Sequence, residues 1–562
     1  MKVKDYIRLA ALWALLFLPV FYAVFTASDL SYSLVKKTAY LGVVVVCLLL
    51  PALFLKARTY FIVEGIFNFL FFPIDIASLY LNRQSASAPF LQNIFHTNWQ
   101  EAAELLHTLW PMCIGVMVLW IVYFVLAARV PNQYLIGATF RKVLIGLTII
   151  GFIGGVGAMT VLLQRLHHER TVRDSLADAV GLVEMKFYKI YPYNLYIHTY
   201  RLIQKKHRIQ ALSEQVDSFR FGLQPRAGLT DEMVILVIGE AARYDHFGLN
   251  GYSRNTTPRL AAIPNLVSYE NVYTQANQTE YAVPILLTRA TAAHFEPAYS
   301  EKSLSEAFQE AGFRSGFLSK QVPSDITGRI ANSCDYAQTY AKDFDVDGNY
   351  DAQMVEDLKS KTLDTAQFFV LHSLGSHFRY EHRYPDDFDV FMPVIGRSGS
   401  YALISEENKD LLINAYDNSI LYTDYFLSEL IAYADSLDRP AAMVYLSDHG
   451  ESFWDDERKL SLHSSYHLSE AEYHVPMLVW LSDEYIAKYP HKAEAIHSNR
   501  SKVISSESVF YSMADIAGID ELADKGHSIC SPSLVSVDSM YVHMGSGETL
   551  KVSIEDIQKG KR

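Results

Sequence analysis

Five apolar runs crowd the first 165 residues of this 562-residue chain, and no other feature of the sequence limits its folding as strongly. They are Leu9–Phe25, Tyr40–Leu55, Tyr60–Leu81, Leu109–Ala128 and Val143–Leu163. Each is expected to be long enough to cross the hydrocarbon of a bilayer, which takes roughly 20 residues of helix and where every backbone polar group has to be bonded within the segment itself. A cleaved signal peptide competes for the first run, which follows Lys2, Lys4 and Arg8, but the run is long and four more come after it. Lys2, Lys4 and Arg8 fall on one side of the alternating loops together with Lys56, Arg58, Arg129, Arg141 and Lys142. That side is expected to be cytoplasmic, with Lys36 and Lys37 as minor exceptions. Five spans then place everything after residue 165 outside the cytoplasm.

The later part reads as a different kind of polymer. "MVILVIGE", "FRSGFLSKQ", "QFFVLHSLGSH", "AAMVYLSDHG" and "HVPMLVWLS" are short apolar strand signals, and helical stretches such as "ENKDLLINAYDNSILYTDYFLSELIAYADS" lie between them. This alternation predicts an α/β fold with a mostly parallel sheet covered on both faces. The expected organisation is a five-helix transmembrane domain over 1–164, a bridge over 165–229 and an α/β/α soluble domain over 230–562. The bridge is dense in tyrosine and basic groups, as an interfacial helix would be. The net charge of −13 argues against a nucleic-acid partner. Of four cysteines, Cys47 and Cys113 lie in apolar runs, so Cys334 and Cys530 form the only pair able to staple the soluble part; whether they do stays open.

Open α/β sheets bind ligands beyond the carboxyl ends of their strands. Glu240, the pair Asp448 and His449, and His377 each follow a strand signal. Carboxylate and imidazole together suit zinc, and Glu240, Asp448 and His449 supply three ligands, leaving a fourth position for a nucleophile. Thr279, in "NQTEYAVPILLTRAT", is the candidate. The ordinary use of a threonine there is to cap a helix. On a metal its hydroxyl would become acidic enough to attack a phosphoryl group.

Taken together, "GEAARYDHFGLNGYSRNTTPRL", the Thr279 segment, "GSHFRYEHRYP", "SDHGES" and "HVPMLVWLS" resemble the phosphoethanolamine transferases, membrane enzymes with a sulfatase-like domain of the alkaline-phosphatase superfamily. These include lipid A modifying enzymes and the mobile colistin-resistance proteins. The resemblance implies a zinc held by Glu240, Thr279, Asp448 and His449, with Thr279 as the nucleophile that carries phosphoethanolamine. It assigns His377 to the substrate, and His463 beside it, with His467 competing for that place and a second zinc near His377 and His463 left open. It also implies that "NIFHTNWQEAAELL", within a donor-binding segment over 82–108, presents Asn93, Thr97 and Glu101 to the donor; their four-residue spacing shares one helical face.

The implied donor is phosphatidylethanolamine and the implied acceptor is lipid A or another lipopolysaccharide group. The implied location is a bacterial inner membrane, with a monomer whose catalytic domain faces the periplasm. This sequence departs from the family in lacking a cysteine-flanked turn at the threonine. Two other readings compete: a glycerophosphate transferase of the lipoteichoic-acid-synthase type, and a catalytically dead membrane sensor. A sulfatase proper is disfavoured, since its CxPxR nucleophile motif is missing.

Overall fold

The computed structural model describes residues 3–26, 34–82, 85–86, 90–91, 99–166, 191–340, 350–361, 365–395, 405–545 and 548–560. It divides into two compact units: Met1–Thr97 with Leu105–Gln204, and Asn98–Glu104 with Lys205–Arg562.

The first unit is helical: it holds α1 (Val3–Thr26), α2 (Leu34–Leu49), α3 (Ala57–Phe69), α4 (Phe72–Asn82), α5 (Trp99–Ala128) from Leu105 on, α6 (Ala138–Leu166) and α7 (Tyr193–Ser213) as far as Gln204. Among the described residues, four stretches are long and apolar enough to cross a membrane: Val3–Thr26, Ala57–Tyr80, Trp110–Ala128 and Ala138–Val161. The second expected span is shorter, since its apolar helix covers only Tyr40–Leu53. At about 1.5 Å per residue that is roughly 21 Å, less than the hydrocarbon thickness. Pro51, with no N–H to donate, sits where α2 tightens into a 3₁₀ turn over Leu50–Leu53. The third span is interrupted between α3 and α4, just ahead of Pro73. In the bridge, α7 begins by packing rather than by lying free: the Tyr196 hydroxyl donates to Phe67 O at 2.8 Å, and the two rings stack 4.1 Å apart. Asn93 and Thr97 lie outside the described residues, as does the side chain of Glu101.

The second unit is built on a seven-stranded sheet. Its strands are β1 (Met233–Gly239), β2 (Leu266–Tyr269), β3 (Arg314–Ser319), β4 (Tyr336–Thr339), β5 (Gln367–His372), β6 (Ala441–Ser447) and β7 (Met477–Leu481), in the spatial order β2-β7-β6-β1-β5-β3-β4. The pairs around β1 are parallel, and β7 runs antiparallel to both β6 and β2. All seven residues of β1 are buried, which is what continuous β-branched runs produce when both faces are covered. Val234, Leu236 and Ile238 enter one core with α8 (Thr279–Leu287) and Ser508–Ile516, while Met233, Ile235 and Val237 enter the other beneath α9 (Lys409–Asp435). The period-two alternation of the strand thus feeds both layers. Cys334 and Cys530 are free thiols, so the possible staple is not formed.

The first core closes around Phe308 and Phe368, both fully buried, whose rings stack 3.9 Å apart. Phe308→Ala is expected to lower stability by about 3–5 kcal/mol, checked by denaturant unfolding followed through near-ultraviolet circular dichroism.

Candidate active site

The register of β1 against β6 decides where the chemistry lies. Gly239 pairs with Ser447, so the next residues, Glu240 and Asp448, leave adjacent parallel strands side by side. The Asp448 N–H donates to Gly239 O at 3.1 Å and fixes the exit. On the other flank of β1, Ile238 pairs with His372, and the chain turns through Ser373–Ser376 to reach His377.

That turn crowds Glu240. Gly375 has φ +47°, and a Cβ placed there would lie 2.9 Å from Glu240 O and 3.0 Å from Glu240 N. Only glycine tolerates both the left-handed backbone and the approach. The carboxylate of Asp351, itself buried, accepts the N–H groups of Leu374 at 2.8 Å and Gly375 at 3.0 Å, pinning the turn.

Ligand-capable atoms of Glu240, Asp448 and His449 lie within 4.8 Å of one another, and all three residues are buried. His449 Nε2 is 3.5 Å from Glu240 Oε1 and 3.6 Å from Asp448 Oδ2. Each carboxylate keeps one oxygen occupied: Gln321 Nε2 donates to Glu240 Oε2 at 3.0 Å, and the N–H groups of Ala241 and His449 donate to Asp448 Oδ1 at 3.2 and 2.7 Å. The others, Glu240 Oε1 and Asp448 Oδ2, are buried and have no hydrogen-bond partner among the described residues. Burial, with Asp448 beside it, pushes the Glu240 carboxyl well above the usual carboxylate range. His449 Nδ1 lies 2.9 Å from Gly450 O, which holds the proton on Nδ1 and leaves Nε2 as a lone-pair donor. Two carboxylate oxygens and one imidazole nitrogen, converging in a buried space, fit the donor set that a divalent cation such as zinc takes.

Thr279 completes this cluster. The N-cap of α8 is Gln278, and Thr279 is the first helical residue. Its hydroxyl is turned away from capping: it donates to Glu240 Oε2 at 3.1 Å and lies 3.3 Å from His449 Nε2. The loop before it is tied down by Asn277, whose Nδ2 donates to Glu472 Oε2 at 2.7 Å and to Ser465 O at 2.9 Å.

Two further histidines border the cluster. The ring of His463 lies 4.2 Å from that of His449, and burial pulls its pKa down to about 4. His377 is lowered to about 3 by burial, then by Arg383, whose guanidinium donates to His377 O at 3.1 Å. His467, the alternative to His463, has its backbone N–H on Ser465 Oγ at 3.0 Å.

Three residues of this neighbourhood were passed over in the sequence: Gln321, Asp351 and Glu451. Gln321 follows a strand end as Glu240 does, and Glu451 lies inside "SDHGES"; nothing marks Asp351.

The motif "YDHFGLNGYSRNTTP" has a structural use. His246 Nδ1 lies 2.6 Å from Asp417 Oδ1, while Tyr252 and Arg254 donate to Asp417 Oδ2 at 2.9 and 2.7 Å. These contacts clamp α9 beside the sheet.

Residues 232–519 match the Sulfatase family model. The chain is 31% identical over 286 residues to the Kdo(2)-lipid A phosphoethanolamine 7''-transferase of Escherichia coli K12, 49% of each protein; it thus spans about half the length of that relative. It is 25% identical over 474 residues to the phosphoethanolamine transferase EptC of Escherichia coli K12, covering 80% of this chain and 78% of that one. Among solved structures, the integral membrane lipooligosaccharide phosphoethanolamine transferase A of Neisseria meningitidis superposes with a TM-score of 0.66 at 19% identity, over 92% of this chain and 98% of that one. At that identity the likeness establishes a shared fold.

Gly375→Ala is expected to force the 373–377 turn away from Glu240 and to cost about 1–3 kcal/mol, as strained left-handed backbone does, checked by thermal unfolding. Asp448→Asn, which removes an orphaned anionic oxygen, is expected to leave the fold intact and to strip most bound zinc, measured by elemental analysis of the purified protein.

Proposed function

The chain belongs to the sulfatase family, and from that premise we propose that it is a phosphoethanolamine transferase, moving phosphoethanolamine from phosphatidylethanolamine to lipid A or another lipopolysaccharide group through Thr279. The observation that carries this reading is the position of the Thr279 hydroxyl, 3.1 Å from Glu240 and 3.3 Å from His449, at the first turn of a helix. There the free backbone N–H groups and the helix dipole favour a phosphate. The kinship with transferases of this activity, detected over much of the chain, supports the substrate class. The apolar helices of the first unit suit an enzyme whose donor and acceptor are both lipids.

Glu240, Thr279, Asp448 and His449 would hold the zinc. Bound there, the ion would lower the pKa of the threonine hydroxyl and offset charge on the phosphoryl group. In the first step Thr279 Oγ1 bonds to the donor phosphorus, the bond from phosphorus to the diacylglycerol oxygen breaks, and that oxygen leaves with a proton. Thr279 then carries phosphoethanolamine as a phosphodiester. In the second step an oxygen of the acceptor bonds to phosphorus and the Thr279 oxygen departs, so one site serves two lipids in turn. His377 and His463, held neutral by burial, border the space where proton transfer to and from these oxygens takes place. The segment 82–108, with Asn93, Thr97 and Glu101, binds the donor headgroup in this reading, Glu101 pairing with the ethanolamine ammonium. Residues 1–164 anchor the enzyme as a monomer in a bacterial inner membrane, and 230–562 act in the periplasm, joined through 165–229.

Thr279→Ala is expected to keep the fold and abolish transfer, whereas Thr279→Ser retains part of it. Peptide mass spectrometry of protein exposed to phosphatidylethanolamine without acceptor should find the added group on the Thr279 peptide. Modification of lipid A by Thr279→Ala protein, in cells lacking any other such transferase, would remove Thr279 from the mechanism.

A further inference from the structure

The chain beyond residue 520 has no task in the chemistry above, yet part of it folds onto the loop that carries Thr279. Strands β8 (Ser539–His543) and β9 (Thr549–Ser553) pair antiparallel as a two-stranded sheet of their own, with Ser539 opposite Ser553 and His543 opposite Thr549. A lone hairpin is marginal in water and needs a further apolar surface against one face. Here Val542, Met544 and Ile557, all fully buried, pack with Tyr273, Leu468 and Tyr473. Tyr273 leads into the Thr279 loop, and Leu468 and Tyr473 follow the loop that carries His463. The hairpin is therefore seated on the two segments that bring the nucleophile and a bordering histidine to the site.

Its grip falls on both sides of Thr279. Ahead of it, the His543 N–H donates to Gln275 O at 2.7 Å, and Ala276 and His543 form a parallel bridge. After it, the ring of Tyr281, buried in the first turn of α8, lies 3.8 Å from the His543 ring. A second path runs through the His463 loop. The Gly545 N–H donates to Ser465 O at 3.1 Å, the Ser464 N–H donates to Asn277 O at 3.1 Å, and Asn277 Nδ2 donates back to Ser465 O at 2.9 Å. Gly545 is pressed so closely that a Cβ there would lie 1.8 Å from Ser464 O and 2.9 Å from Ser465 O, an approach that only glycine allows. The N-cap Gln278 makes no side-chain capping bond, so the place of the first residue of α8 is left to contacts from outside the helix.

We propose that His543 and Gly545 are positioning residues of the transfer: the C-terminal hairpin clamps residues 275–281 and so holds the Thr279 hydroxyl where it meets phosphorus. The inference rests on the reading of Thr279 as the carrier. Thr279 Oγ1 forms the bond to phosphorus as the diacylglycerol oxygen leaves, and it is the oxygen released when the acceptor oxygen bonds to phosphorus. A displaced hydroxyl therefore handicaps both halves alike. A misplacement of about 1 Å costs on the order of 100-fold in rate. Neither His543 nor Gly545 touches a lipid; each acts only through the loop it holds.

Both halves can be measured on the full-length, zinc-loaded chain in detergent. Loading of Thr279 is followed by peptide mass spectrometry over a series of phosphatidylethanolamine concentrations, and unloading after a chase with lipid A; zinc content and the thermal midpoint are recorded beside them. Gly545→Ala is expected to keep its zinc, because the ends of β1 and β6 hold Glu240 and Asp448 without the hairpin. Its maximal loading and unloading rates should both fall about 10- to 100-fold, with the donor concentration for half-maximal loading unchanged. His543→Ala, which removes the ring against Tyr281 but keeps the backbone bonds, should slow both halves less severely. His543→Phe, which restores a ring, should recover most of that loss. Tyr541→Ala, an exposed position of the same strand, should load and unload as the wild type does.

Wild-type rates per zinc-loaded molecule in Gly545→Ala and His543→Ala overturn the proposal even where the thermal midpoint falls, since the hairpin would then only stabilise the fold. A loss of zinc, a slowing of one half alone, or a weaker response to donor with an unchanged maximum overturns it too. So does His543→Phe protein as slow as His543→Ala, or Tyr541→Ala protein as slow as either. If Gly545→Ala does not fold, the two His543 variants decide by the same measurements. Wild-type protein that never loads Thr279 would instead refute the proposed function, a result distinct from all of these.

Discussion

The second unit is organised around two acids that its own sheet forces together. Glu240 and Asp448 emerge from adjacent parallel strands in register, each with one oxygen tied to neighbouring donors and one left bare in the interior. Two such carboxylates repel each other and lose their hydration on burial, so the arrangement needs a cation or a proton to be tolerable. Much of the surrounding structure serves to hold it. Gln321 from the end of β3 secures Glu240, and the Ala241 and His449 N–H groups secure Asp448. The Gly375 turn closes directly over the backbone of Glu240.

Around that pair the site separates into a buried side and a more open one. His449 and the acids are buried, while Thr279 at the start of α8 is partly exposed and His463 is 23% exposed at its side chain. The transfer proposed above, with two lipids handled in turn at one phosphoryl position, would use this division. Groups that set charge have to stay fixed and dry, whereas the nucleophile and the proton acceptors have to meet substrate. The clamp of His246, Tyr252 and Arg254 on Asp417 serves the fixed side, because α9 forms the layer beneath β1 and β6.

Much of this was legible in the residues. The period of the apolar runs marks a membrane unit followed by a covered parallel sheet, and residues at strand ends point to Glu240, Asp448, His449 and His377. The helical unit departs from expectation where Pro51 and the short apolar stretch Tyr40–Leu53 leave the second run too brief to match the others. Hydropathy counts residues, whereas crossing a bilayer depends on helical rise and on unbroken hydrogen bonding.

What the sequence determined by itself was therefore the inventory: apolar segments, strand and helix alternation, and the acids, imidazoles and hydroxyl placed where sheets gather ligands. Pattern along a chain reports local periodicity, and that is enough to place groups at strand ends. What only the tertiary structure decided was which groups meet. The β1–β6 register sets Glu240 beside Asp448, and the path of α8 makes Thr279 a helical residue whose hydroxyl turns to Glu240 and His449 rather than to its own backbone. Asp351 is drawn under the 374–375 turn, and Glu451 is set behind His463. These are contacts between residues that are far apart in sequence or that turn on side-chain direction, and no local pattern encodes them; they follow from the packing of layers around one sheet.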